Sequence, residues 1–233
     1  LVSAYLLLGG RWIRKRKYGQ AETYLSSAKW AVIKNPEECP ASIRASLHRN
    51  FGKLYAAMSK SAEASPLQSE EFQDQALQHF ASDVYHSSLD KGPLSFEACG
   101  GYFQIGCAFL AKGVGDKALA MFELATDITI ETVRKGIESA EAASAAAAAI
   151  AAGLPAGKQQ QQQQQAIEAS QLFSLSPATQ SECFHMLTTI VEARDQLLGE
   201  LSQGSAVAML GVGMCQLLSG ALKRAEVTLT QAY

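Results

Sequence analysis

Apolar residues recur along most of this chain at intervals of three and four, the period of a helix buried along one face. Tyr5, Leu8, Gly9 and Trp12 fall on one face of a first helix, and Ala21, Leu25 and Ala28 on one face of a second. The same arrangement returns at Tyr102, Ile105, Gly106 and Phe109, followed after Gly113 by Ala118, Phe122 and Ala125. A further unit opens with Phe51, Gly52 and Tyr55, but its second helix, marked by Ala76 and Phe80, arrives twelve residues late. The delay predicts an insertion at 59–71, where Ser, Ala, Glu and Gln around Pro66 read as a solvated loop. The last unit keeps Met209, Val212 and Gly213, then Gly220, Ala225, Leu229 and Ala232, with Gln216 in the aromatic's place.

Repeated pairs of helices with glycine and alanine at fixed intervals among large residues match the tetratricopeptide pattern. Small residues belong where two helices cross, because a larger side chain forces the axes apart, and large residues fill the space between hairpins. One hairpin cannot bury its apolar face alone, so the expected fold is an all-α solenoid of stacked tetratricopeptide-repeat (TPR) hairpins. Gly9 and Gly52 stand 43 residues apart, more than the usual repeat of about 34. Longer helices or links account for the excess, with Asn35-Pro36 and Gly92-Pro93 stopping the helices before them. The expected organisation is three hairpins over 1–136, a low-complexity Ala/Gln insertion over 137–178, and further TPR-like helices over 179–233. Within the insertion, Ala145 to Ala149 favour helix, whereas Gly153, Pro155 and the tract Gln159 to Gln165 offer no apolar stripe and predict disorder. Leu1 opens and Tyr233 closes the chain inside helical pattern, so it reads as part of a longer protein.

Composition narrows the function classes. Hydrophobic residues at 48% support a continuous core, and a net charge of −2 argues against nucleic acid as partner. No leader or membrane-spanning pattern is present, so no membrane partner is expected. Cysteines at 39, 99, 107, 183 and 215 and histidines at 48, 79, 86 and 185 form neither a disulfide framework nor a metal-ligand spacing. Reduced thiols in the cytosol, and no metal or cofactor, are expected. Gly113-Val114-Gly115-Asp116 resembles a phosphate loop only in isolation, since it falls at the turn between two helices, where Asp116 can cap the second. No nucleophile elbow or phosphate-binding loop occurs, and the chain reads as a non-enzyme.

Leu1-Val2-Ser3-Ala4-Tyr5-Leu6-Leu7-Leu8, Leu47-His48-Arg49-Asn50-Phe51-Gly52 and Gly100-Gly101-Tyr102-Phe103, in this order and spacing, resemble the repeat region of the zinc finger MYND domain-containing protein 12 family. The resemblance covers most of residues 1–136 and, less closely, 179–233. It implies an axonemal subunit of cilium or flagellum, associated with a single-headed inner-arm dynein (heavy chain and light subunits) beside a second TPR protein. Doublet-microtubule tubulin is a further partner on this reading. No cysteine and histidine array here forms the zinc finger of that family's name, so zinc is not carried over.

Candidate binding residues come from geometry and charge. Helix A of each hairpin lines the concave face, which places Leu6, Arg14, Arg49, Lys53 and Phe103 toward a bound peptide or, equally, against a neighbouring helix. Arg11, Arg14, Lys15, Arg16 and Lys17 give five cations in seven residues. They read as a solvated helix end that complements the helix dipole, or as a surface for an acidic partner such as a dynein tail or tubulin. A different adaptor, serving a chaperone or a motor's cargo, is the alternative function. Arg49, Asn50 and Lys53 supply part of the set that holds a peptide carboxylate.

Overall fold

The computed structural model describes residues 1–61, 64–151, 175–199 and 202–233, and among them all regular structure is helical. The helices are α1 (Val2–Arg14), α2 (Tyr18–Lys34), α3 (Ala41–Met58), α4 (Pro66–Lys91), α5 (Phe96–Ala111), α6 (Gly115–Ala151), α7 (Pro177–Leu198), α8 (Gln203–Leu218) and α9 (Leu222–Ala232).

One steric lock, repeated four times, sets how these helices pair. A Cβ added at Gly9 would lie 2.5 Å from Leu25 Cδ2, at Gly52 2.5 Å from Phe80 Cε1, at Gly106 2.6 Å from Phe122 Cε1, and at Gly213 2.6 Å from Leu229 Cδ2. In each hairpin a large residue of the second helix thus rests on the bare backbone of the first. The partner follows its glycine by sixteen residues in three hairpins and by twelve more in the second, as the position of the inserted segment requires. Ala21, Ala76, Ala118 and Ala225 hold one register position at the same crossings and are at most 1% exposed.

Two compact units result, Leu1–Ala125 and Thr126–Tyr233. In the first, Leu25, Phe51, Leu54, Phe80 and Phe122 form the core, each at most 5% exposed. The second centres on Leu187 and Ile190 of α7, which are fully buried, and on Gly211 of α8, where an added Cβ would meet Ile130 and Leu187. Arg194 of α7 donates to the Gly204 carbonyl and Ser205 Oγ donates to Asp195 Oδ1 at 2.6 Å, which ties α7 to α8.

The insertion expected as a loop over 59–71 is helical from Pro66 onward. Proline suits the first helical position, where its missing N–H would have had no partner, and Ser65 with Gln68 forms a reciprocal capping box. Pro66 is therefore a helix start, not a loop marker. The helix ends at Asn35-Pro36 and Gly92-Pro93 fall as the prolines demand, with Gly92 at φ +88°. Residues 137–151 continue α6, in keeping with the helix expected of the alanine run, so this part of the segment is not loose insertion. Alanine has the highest helix propensity, and no glycine or proline interrupts the run from Ala145 to Ala151. The glutamine tract lies outside the described residues.

Candidate functional site

Counting from the glycine of each hairpin shows why the concave-face candidates part company. Leu6, Arg49 and Phe103 all stand three residues before it, and this position faces the fold. Leu6 is 6% exposed within a core that includes Ala28, Leu47 and Phe51. Phe103 is 4% exposed, its ring centroid 6.2 Å from that of Phe122. Neither is available to a partner: of the two readings open for them, packing against a neighbouring helix holds and lining a binding face does not. Packing of neighbouring helices covers the stripe that a lone helix would have presented.

Arg49 is a correction of another kind. Nineteen residues after the glycine the first and third hairpins place Ala28 and Ala125, both fully buried; the same position in the second hairpin, allowing for its insertion, holds Asp83. Arg49 Nε donates to Asp83 Oδ2 at 2.8 Å and Nη2 donates to Asp83 Oδ1 at 3.2 Å and to the Glu97 carbonyl at 2.9 Å. Ser87 Oγ donates to Asp83 Oδ1 at 3.1 Å. The second hairpin has thus exchanged an apolar pair for an ion pair at one register position. Burial pushes the Asp83 carboxyl above its ordinary range, opposed by Arg49 and Ser87. Asn50 Nδ2 donates to the Ser46 carbonyl, so Arg49 and Asn50 both direct donors within the fold. Lys53 is exposed, and its charge reaches Asp83. An aspartate at an alanine position was visible in the repeat register, a signal that pattern matching passed over.

Beside this pair lies a histidine cluster that sequence spacing did not reveal, because it joins different helices. His48 of α3 and His79 of α4 share a hydrogen bond between their Nδ1 atoms at 2.9 Å, and His86 stacks on His48 with centroids 5.4 Å apart. One Nδ1 must donate and the other accept, so the bond needs at least one neutral ring. Burial, helped by His79, His86 and Lys29, holds His48 down at about 4. Burial also lowers His79, with Lys29, and His86, with Arg44. Among the described residues no group of three or more His, Cys, Asp or Glu side chains is placed to hold a metal ion. The cluster is a store of neutral imidazoles. Burial likewise raises the Cys107 thiol to about 11 and the Cys215 thiol to about 12, which leaves them protonated and poorly nucleophilic at neutral pH.

The basic run remains at the surface. Arg11, Arg14, Lys15, Arg16 and Lys17 are all exposed at the α1–α2 turn, and among the described residues none of them forms an ion pair. Trp12 is half-buried beneath it, with Lys15 Nζ 5.2 Å from the ring centroid. Arg14, Lys15 and Lys17 are therefore the sequence candidates that the structure leaves accessible, together with Lys53.

No family model matches the chain. Similar solved structures include the crystal structure of Podosopora anserina putative kinesin light chain nearly identical TPR-like repeats and that of a single-substitution variant of the same repeats. Each covers 99% of this chain and 92% of that chain at 13% identity, with a TM-score of 0.42. No described helix is long and apolar enough to cross a membrane.

Proposed function

We propose that this chain is a non-catalytic helical-repeat adaptor that binds other proteins. The observation that carries the reading is the four-fold glycine lock, since hairpins built to one register bury their faces on neighbours and leave their remaining helical surfaces to partners. The accessible cations at the α1–α2 turn supply a charged surface of that kind, whereas burial keeps the Cys107 and Cys215 thiols and the His48, His79 and His86 rings in their neutral forms.

Within this reading, the resemblance carried by Leu1 to Leu8, Leu47 to Gly52 and Gly100 to Phe103 supports a finer proposal. The chain serves as a scaffold subunit of a ciliary inner-arm dynein, beside a second TPR protein and against doublet microtubules. Tagged chain expressed in ciliated cells is expected in the axoneme, and is expected to co-purify with an inner-arm dynein heavy chain after high-salt extraction. Recovery with cytosolic chaperones or motor cargo, and none with dynein, leaves the general adaptor and removes the ciliary proposal. Recovery of no specific protein from either fraction removes both.

A further inference from the structure

In three of the four hairpins the residue seven after the locking glycine is left-handed and carries the chain out of helix A; in the second it is Ser59, at φ −61°. The left-handed residue is Gly113 at φ +74° in the third hairpin and Gly220 at φ +75° in the fourth. In the first hairpin it is Arg16, at φ +57°, the one non-glycine residue with positive φ among those described. The turn is otherwise built as expected, with the Arg16 amide donating to the Ile13 carbonyl and the Lys17 amide to the Trp12 carbonyl. Glycine does this task without strain, while an L-residue with a Cβ is disfavoured there. The sequence therefore holds a cation at a left-handed position where the third and fourth hairpins use glycine.

Arg16 is exposed, and among the described residues neither it nor its four basic neighbours forms an ion pair. The turn requires a left-handed residue but not an arginine, and residues kept in such strained conformations cluster at binding sites. The adjoining stripe of α1 adds an apolar element, because Leu7, Arg11 and Arg14 follow one another at helical spacing and Leu7 is 75% exposed.

We propose that the α1–α2 turn, with Arg16 at its apex, is a docking site for a short acidic peptide segment that carries an apolar residue. The carboxylates meet Arg11, Arg14, Lys15, Arg16 and Lys17, and the apolar residue covers Leu7. The inference rests on the adaptor reading and names the partner's chemistry. A short peptide fits better than an extended polyanion, because the cations occupy a single turn and the exposed Glu22 follows little more than one turn along α2. Duplex DNA or an anionic bilayer would meet that acid too. At the turn the Trp12 ring lies beneath Lys15 and Tyr18 is half-buried, which leaves little ring surface for bases to stack on.

The test uses the full chain and a fluorescein-labelled nonapeptide of eight glutamates around one leucine, read by anisotropy. Arg16→Gly is the decisive variant, because its two effects have opposite signs. Relief of the left-handed strain raises the melting temperature, while loss of the apex charge weakens peptide binding by about threefold. Arg16→Lys keeps both the charge and the strain, and retains binding. Reversal of Arg14, Lys15 and Lys17 to glutamate abolishes it, as does raising salt from about 0.05 M to about 0.3 M. In a Trp30→Phe background the emission of Trp12 shifts when peptide binds. The proposal is overturned if Arg16→Gly and the charge reversal bind peptide as well as the parent, or if the glutamine version of the peptide binds equally. It is also overturned if single-stranded DNA or phosphatidylserine vesicles bind at lower concentration than the peptide. Those results leave the adaptor reading intact, provided that partner proteins still co-purify with the charge-reversed chain.

Discussion

Arg49 and Asp83 show how much one register position can hold. Asp83 is fully buried and satisfied by Arg49 and Ser87, whereas the Arg49 side chain keeps 30% of its exposure and a second acceptor at Glu97. The two truncations should therefore differ. Arg49→Ala strands a buried carboxylate and is expected to cost about 3–5 kcal/mol in urea melts. Asp83→Ala restores the alanine of the first and third hairpins, leaves a cation that can reach water, and should cost clearly less. The double variant is expected to recover most of the loss of Arg49→Ala. Equal losses from both single variants would show that the pair is not the source of the difference.

At the scale of the element, the glycine lock ranks the hairpins by how far the opposing side chain can yield. Gly52 and Gly106 meet phenylalanine rings, which move only as whole rigid rings, while Gly9 meets the branched end of Leu25, a smaller group at the tip of its side chain. Gly106→Ala is expected to lower stability by about 1–3 kcal/mol, and Gly106→Leu to unfold the third hairpin, as followed by circular dichroism on heating. Gly9→Ala should cost less than Gly106→Ala. An unchanged melting temperature for Gly106→Leu would contradict the register itself. The second element of interest, α4, owes its 26 residues to a start signal at Ser65, Pro66 and Gln68 that reaches back into the inserted segment.

For the molecule as a whole, the histidines make stability depend on acid. His48, His79 and His86 all have folded values below the ordinary 6.5, so the unfolded chain takes up protons first. Their contribution is complete above pH 6.5 and is lost as pH falls toward about 4, the folded value of His48. Lys29 and Arg44 face the cluster with like charge, which reinforces the loss. Asp83, with its raised value, has the opposite sign and offsets part of the loss at the acid end. Melting temperatures across this window should fall, and His48→Gln should flatten the slope. A slope unchanged by that substitution would place the acid sensitivity elsewhere.

Helical period and the spacing of Gly9, Gly52, Gly106 and Gly213 were enough to predict the hairpins and to pair their helices, because a glycine at a crossing and a large residue sixteen positions on, or twelve more where the second hairpin has its insertion, are local chemistry. The exposed cations at Arg14, Lys15 and Lys17 were legible for the same reason, since charge without a partner stays in water. The fate of Leu6, Phe103 and Arg49 was not. All three share a register position whose surroundings belong to other helices, and only packing decided that two became core and the third an ion-pair partner. The histidine cluster, drawn from α3 and α4, and the left-handed turn at Arg16 likewise exist only once the helices are in place. Period and spacing act along one helix, whereas burial and electrostatic environment are set by what a neighbouring helix brings against it.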